Sequence, residues 1–447
     1  MTRLEQLLTG TPYAGYTYAY PHKTAYRVLD PPVPLAEAWA QEPRDAVFLY
    51  AHVPFCEMRC GFCNLFTTTL PGEGVEARYL AALTRQAQAV REAVGPMRVA
   101  QVAIGGGTPT YLAPRDLEAL IDLLASTFQV DLATVPTAVE TSPLTATEDR
   151  LRVLRDRRVE RVSIGVQSFI EDEAAAAGRS QKRAVVEAAL ERIRAAGFPR
   201  FNIDLMYGLP GQTVETWLTS LEAALQYAPE ELYLYPLYVR PLTGLGRRGA
   251  GTWDAQRLTC YRAGRDILLA SGYIQRSMRH FERPAETPPR IGGPAYPAPS
   301  YACQEDAMIG LGCGARSYTQ GLQYSSEYAV GRAGVREILA GYLERNDAAF
   351  AHAEYGVRLE AGEQRRRWML KSLLHADGLC LNRYEERYGS PAVADFPELA
   401  DLREAGLVVR EGEWLRLTTQ GLERSDAIGP WLYSDTMRTR MEAFPLR

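Results

Sequence analysis

The sequence predicts an α/β fold: six β/α units forming an open, partial barrel, with an N-terminal arm before it and a helix-rich C-terminal domain after it. Two observations lead there. Short apolar runs alternate with longer helix-like segments through the middle of the chain, the pattern of β/α units around a parallel sheet. The length, 447 residues of which 46% are hydrophobic, exceeds one ordinary core and suits a large catalytic domain with smaller appendages.

In chain order, residues 1–44 read as a tyrosine-rich arm containing Tyr16-Thr17-Tyr18-Ala19-Tyr20-Pro21. The barrel is expected over residues 45–282. Its strands fall at approximately Val47 to Val53, Val99 to Ile104, Thr137 to Thr141, Arg161 to Val166, Phe201 to Met206 and Leu232 to Leu237. Helix-like segments lie between them, near Val75 to Ala93, Pro114 to Phe128, Thr147 to Asp156, Gln181 to Ala196 and Thr213 to Tyr227. Residues 283–364 form an extension that opens on a Pro- and Gly-dense stretch, Pro284 to Ser300, expected as a long loop or lid over the barrel. Residues 365–447 are helix-rich and end in a helix followed by two strand-like runs, at Val408 and at Trp414 to Thr418.

Composition narrows the function. A formal net charge of -4 without a concentrated Lys/Arg tract gives no footprint for nucleic acid, and Arg155, Arg157, Arg158 and Arg161 read as a solvated surface. With a mean hydropathy of -0.23 and no apolar stretch near the length of a membrane span, no membrane association is expected, and the compartment is expected to be cytoplasmic.

Three cysteines carry the chemistry. Cys56, Cys60 and Cys63 follow the first apolar run in Phe55-Cys56-Glu57-Met58-Arg59-Cys60-Gly61-Phe62-Cys63-Asn64. Cubane iron–sulfur clusters take four ligands, so a three-cysteine loop leaves one iron open to a small molecule. Zinc is the competing reading, but zinc sites usually take four Cys or His ligands, and no second pair stands nearby. An odd total of 7 cysteines argues against a disulfide framework.

In a parallel barrel the chemistry sits at the C-terminal ends of the strands. After the second run comes Gly105-Gly106-Gly107-Thr108, where missing Cβ atoms let backbone approach a ligand, although a tight turn would explain it equally. The next three runs deliver Glu140, Gln167 and Asp204 to the same edge, acceptors suited to hydroxyl and ammonium groups. Arg179, after Gly178, offers a guanidinium that can hold a carboxylate bidentately.

The C-x-x-x-C-x-x-C spacing resembles the signature of radical S-adenosylmethionine (SAM) proteins. Together with Tyr50 to Cys56, Gly105 to Thr110, Gly165 to Phe169 and Asp204 to Thr213, it is similar in order and spacing to the oxygen-independent coproporphyrinogen III oxidase-like family of radical SAM proteins. The resemblance implies a partial (β/α)6 radical SAM barrel and a 4Fe–4S cluster on Cys56, Cys60 and Cys63. It places Phe62 against adenine, Tyr50 beside SAM, and the SAM amino group between Glu140 and the Gly105, Gly106, Gly107 and Thr108 loop. Arg179 would take the SAM carboxylate, with Gln167 and Asp204 receiving the ribose hydroxyls. The activity implied is reductive cleavage of SAM to methionine and a 5′-deoxyadenosyl radical that abstracts hydrogen from a substrate. A flavodoxin- or ferredoxin-type electron donor, a small-molecule or modified-peptide substrate and, as the family allows, a second SAM come with it. Tyr16 to Pro21 resembles the family's tyrosine-rich N-terminal arm, which covers the substrate side of the barrel, with an ordinary extension packed on the surface as the alternative; Gly310 to Tyr318 also resembles the family, and the C-terminal region looks like its winged-helix-like tail.

Two departures bear on the reaction. The oxidases of this family carry a further cysteine two residues past the third, where this chain has Leu65. The family's haem chaperones carry a His-Asn pair followed by Tyr-Trp, and here the comparable region reads Tyr301-Ala302-Cys303-Gln304-Glu305-Asp306-Ala307-Met308. The reading therefore ranks a radical SAM enzyme on an unidentified organic substrate first, by methyl transfer or another hydrogen abstraction. Coproporphyrinogen III oxidation and a non-catalytic haem chaperone follow. Cys303, Cys313, Glu305 and Asp306 are candidates to meet the substrate, with a buried structural role as the alternative for Cys303.

Overall fold

The protein is described by a computed structural model over residues 2–249, 251, 253–284 and 301–445. Its centre is a run of parallel strands, β1 (Val47–Val53), β2 (Val99–Gly106), β3 (Thr137–Thr141), β4 (Arg161–Gln167), β5 (Arg200–Tyr207) and β6 (Glu231–Pro236), each paired with the next. Helices Val75–Val94, Pro114–Phe128, Glu148–Asp156, Arg183–Ala196 and Val214–Leu225 make the crossovers. The expected partial barrel is therefore present. Pro114–Phe128 shows why these segments are helical and where they dock: Leu117, Leu120, Ile121, Leu124 and Phe128 recur at helical spacing and are all buried, behind a proline in the first turn.

The strands alternate in a way that decides what the barrel encloses. Leu49, Val139, Val162, Ile164, Ile203, Leu232 and Leu234 face the helices and are essentially fully buried. Their neighbours face inward, and these are Tyr50, Glu140, Ser163, Asn202, Asp204, Tyr233 and Tyr235. An interior of carboxylates, amides and phenols is no packed core; it is a chamber.

The sheet runs on at both ends to 13 strands. Met308–Leu311 lies parallel to β1, and Arg316–Tyr318, Leu322–Ser325, His352–Arg358 and Arg27–Pro34 continue antiparallel. His280–Glu282 and Ile274–Gln275 close the other edge beyond β6. The strand Arg27–Pro34 was not expected from the sequence because it contains Pro31 and Pro32. It is tolerated as an edge strand whose register shifts between Val28 and Val33. The glycine run also differs from expectation: Gly105 and Gly106 are the last residues of β2, paired with His52 and Val53, rather than a loop after it.

Behind the sheet, helices Ala361–Leu373 and Glu398–Glu404 pack on a small antiparallel sheet of Leu379–Cys380, Trp414–Leu417 and Val408–Glu411. Helix and hairpin follow the expected order, and Leu379–Cys380 is an addition. Leu7, Tyr20 and Tyr26 of the arm are buried in the same core as Trp368, Leu399 and Ile428. The expected lid, residues 285–300, lies outside the described residues. No described helix is long and apolar enough to cross a membrane.

Candidate active site

The cysteine loop leaves β1 and returns to it. Cys56 N–H donates to Thr68 O at 3.0 Å and Thr68 N–H to Pro54 O at 2.7 Å, closing the base. At the tip, Gly61 N–H donates to Ala177 O at 3.0 Å and Gly61 O accepts from Leu245 N–H at 2.7 Å. A Cβ on Gly178 would come within 2.8 Å of Gly61 N, and one on Gly244 within 3.0 Å of Gly61 Cα, so glycines on both sides let the tip seat. Phe62 packs on Ala177, Met206, Leu209, Leu237 and Leu245.

Cys56, Cys60 and Cys63 are free, half-buried thiols, and each has a polar side chain against its sulfur. Thr108 Oγ1 donates to Cys56 Sγ at 3.6 Å, Arg179 Nη1 to Cys60 Sγ at 3.2 Å, and Cys63 Sγ meets Thr67 Oγ1 at 3.8 Å. Burial pushes the Cys56 thiol up to about 12 despite Thr108, with Cys63, Glu57 and Cys60 adding repulsion. Burial and Cys60 also raise Cys63. Cys56 and Cys63, raised in this way, ionise against a cation, and the irons of a cluster are such cations. The residues present therefore fit the cluster.

The glycines bring backbone against this loop. Gly107 N–H donates to Val53 O and Thr108 N–H to Phe55 O, both at 2.7 Å. A Cβ at Gly107 would lie 2.5 Å from Phe55 O and 3.0 Å from Cys56 Sγ. One at Gly105 would lie 2.8 Å from Glu140 Oε2, which accepts Gly106 N–H at 2.9 Å. Glu140 is reached by solvent yet sits deep in the chamber, and the loss of bulk water raises its pKa against that hydrogen bond.

Further round, Gln167 ends β4 at φ 71°, after a register shift beside Gly165. A left-handed backbone on a non-glycine residue is the kind of strain that collects at functional sites. Asp204 lies deeper than expected: it is mid-strand, three residues before the end of β5 at Tyr207. Burial raises its carboxyl to about 6; Asn202, donating at 2.7 Å, and Arg161 oppose this, while Glu140 and Glu231 add to it. Arg179 stands at the cysteine loop, with Nη2 on Gly165 O at 2.7 Å and Nε on Gln181 Oε1 at 2.8 Å. Tyr50 meets His52 Nδ1 through its hydroxyl at 3.2 Å. Cys56, Cys60, Cys63, Gly105, Gly106, Gly107, Thr108, Glu140, Gln167 and Arg179 thus lie toward one edge of the chamber, with Asp204 deeper inside it.

On the opposite wall, the resemblance pointed to the arm of Tyr16 to Pro21, while the residues that it meets there were missed. Tyr16 and Tyr18 are 44% and 40% exposed although the arm carrying them is packed down, because they open on the chamber with Tyr233, Tyr235, Arg279 and Arg316. The signal was the alternation itself, Tyr233-x-Tyr235 in a strand and Tyr16-x-Tyr18 in extended chain. Of the other candidates, Glu305 is ion-paired with Arg383 at 2.6 Å, Asp306 accepts Ala302 N–H at 2.6 Å in a turn, and Cys313 is fully buried. Cys303 is half-buried and differs from every other thiol. Burial opposes its ionisation, but Lys371, His375 and Arg367 outweigh this and bring it down to about 6. Its thiolate forms as pH rises through that value, so iodoacetamide labelling of the native protein is expected to turn on near pH 6, with Cys303 modified before Cys260 or Cys380. Labelling that rises only above pH 8 would contradict this.

The arrangement is that of a radical SAM barrel, and the comparisons with known proteins agree. Residues 50–224 match the Radical SAM superfamily, and residues 359–423 match the HemN C-terminal domain. The heme chaperone HemW of Escherichia coli is 31% identical over 275 residues, covering 60% of this chain and 68% of the chaperone. The oxygen-independent coproporphyrinogen III oxidase of the same organism is 28% identical over 397 residues, covering 86% and 85%. The solved structure of that organism's coproporphyrinogen III oxidase (HemN), a radical SAM enzyme, superposes with a TM-score of 0.76 at 25% identity, covering 94% of this chain and 96% of that one. This chain belongs to the coproporphyrinogen III oxidase-like family of radical SAM proteins, which holds both the oxidases and the HemW chaperones. Its cofactors are a 4Fe–4S cluster and SAM.

Proposed function

We propose that this chain is a radical SAM enzyme that cleaves SAM reductively at a cluster held by Cys56, Cys60 and Cys63. It then modifies an organic substrate by methyl transfer or another hydrogen-abstraction reaction. The observation that carries the reading is the three-cysteine loop, a polar side chain on each sulfur, set on a glycine backbone at the rim of a polar chamber. When bound, the cluster and SAM supply a 5′-deoxyadenosyl radical.

The chain's residues bind and aim. Glu140, fixed by Gly106 N–H, receives an ammonium group beside Gly105, Gly107 and Thr108. Arg179 keeps guanidinium hydrogens for a carboxylate while it braces Gly165 and Cys60. Asp204, ionised above about pH 6, and Gln167 accept from ribose hydroxyls. Phe62 lies against adenine and Tyr50 beside the bound SAM. The electron arrives from a flavodoxin- or ferredoxin-type donor.

Leu65, 53% exposed at the position of the oxidases' extra cysteine, is the reason porphyrinogen oxidation ranks below an unidentified substrate. Similarity to HemW supports a second reading, a haem-binding protein without turnover. Anaerobic reconstitution with iron, sulfide, SAM and dithionite separates them. 5′-Deoxyadenosine is expected, and S-adenosylhomocysteine beside it points to methyl transfer. Efficient conversion of coproporphyrinogen III would reverse the ranking, and stoichiometric haem binding without any SAM cleavage would overturn the enzyme.

A further inference from the structure

The cysteine loop is flanked by arginines on both sides. Arg59, between Cys56 and Cys60, is half-buried and donates to Val330 O, which ties the loop to the chain leading into helix Arg332–Leu343. At the tip, the bond from Leu245 N–H to Gly61 O seats the short helix Gly244–Arg247 on the same loop. Both helices carry exposed cations: Arg332 and Arg336 on the first, Arg247 and the adjoining Arg248 on the second. Arg332 and Arg247 are close enough to Arg59 for their charges to act on it. None of these arginines has an ion-pair partner among the described residues.

The sequence also keeps acids away. No Asp or Glu occurs from Leu232 to Trp253 or from Tyr328 to Arg336, and Glu57, the acid of the loop itself, accepts from Ser142 Oγ. A chain whose formal net charge is -4 therefore gathers unpaired positive charge around the three cysteines. Exposed arginines that repel one another add nothing to the fold, but they attract and orient a surface of opposite sign. Leu65, exposed just past Cys63, supplies an apolar contact among them. An electron crosses protein only over short distances, so a carrier that reduces a cluster on this loop has to touch the loop or its neighbours.

We propose that Arg247, Arg248, Arg332 and Arg336, set around Arg59, form the docking surface for an acidic protein that carries one electron at a time. The affinity for an acidic surface stands on the arginines alone; naming the partner an electron carrier rests on the radical SAM reading of the loop.

The test uses the full-length protein and a flavodoxin as probe. Binding of the oxidised flavodoxin is read by calorimetry, which needs no turnover. Wild type is expected to bind it at low ionic strength and to lose affinity by about 10-fold or more in about 0.5 M salt. Arg247→Glu with Arg332→Glu is expected to weaken binding by about 10-fold or more and to slow flavodoxin-driven SAM cleavage to match, with dithionite-driven cleavage and the thermal midpoint unchanged. Arg155→Glu with Arg410→Glu makes the same change of net charge at exposed sites elsewhere and is expected to alter neither. No flavodoxin binding by wild type, equal weakening in the control pair, or tighter binding of a DNA duplex than of flavodoxin would each overturn the docking surface. Dithionite-driven cleavage by wild type is scored separately: its absence, with flavodoxin binding intact, would sink the radical SAM reading and leave the acidic docking surface standing.

Discussion

Replacing Cys56, Cys60 or Cys63 by alanine is expected to abolish 5′-deoxyadenosine formation, a loss of at least ~100-fold, since even partners outside a metal's ligand set change affinity by about 10–100-fold. Each alanine leaves two protein ligands for the cluster and also strands a donor: Thr108 for Cys56, Arg179 for Cys60, Thr67 for Cys63. Iron and sulfide content after anaerobic reconstitution should fall with activity. Cys380→Ala is the control, because that thiol is buried in the C-terminal core far along the chain and should leave iron content unchanged. Full SAM cleavage in any one of the three variants would remove that cysteine from the ligand set.

Period and spacing made one half of the site readable and left the other hidden. The six parallel strands were legible because each is a short apolar run between helical segments, and residues after a run reach one edge of the barrel by topology. That rule delivered the cysteine loop, Glu140 and Gln167. It misplaced Asp204, which points inward from mid-strand: in β5 an inward position is marked by alternation rather than by the end of an apolar run. The opposite wall draws on residues distant in sequence. Tyr18 of the arm, Arg316 of the extension and Lys371 of the C-terminal domain meet only through long-range packing, and no local pattern couples them. Arg27–Pro34 was hidden for another reason: its prolines forbid a central strand, and only its place at the sheet's edge makes them harmless.

Asp426→Ala is expected to cost about 3–5 kcal/mol of folding stability, the range for removing one partner of a buried ion pair. Asp426 and Arg279 are 1% and 3% exposed, so water cannot replace the lost carboxylate. The pair joins three parts of the chain: Arg279 comes from the segment before the outer strand His280–Glu282, Asp426 from helix Ser425–Trp431, and Tyr16 of the arm lies 3.8 Å over the guanidinium. Asp426 also accepts from Tyr238 through its side chain and from Gly15 N–H through its backbone at 2.9 Å. The alanine therefore leaves a charged guanidinium among tyrosines and loosens the arm that closes the chamber. The cost should appear as a lower thermal midpoint and as faster tryptic cleavage within the first forty or so residues, where the arm carries Lys23 and Arg27. Replacing both partners, Asp426→Leu with Arg279→Met, should recover part of the loss, because it removes the charge that the single variant strands. An Asp426→Ala protein as stable as wild type would mean that Arg279 finds another anion, and that the pair does not hold the arm across the chamber.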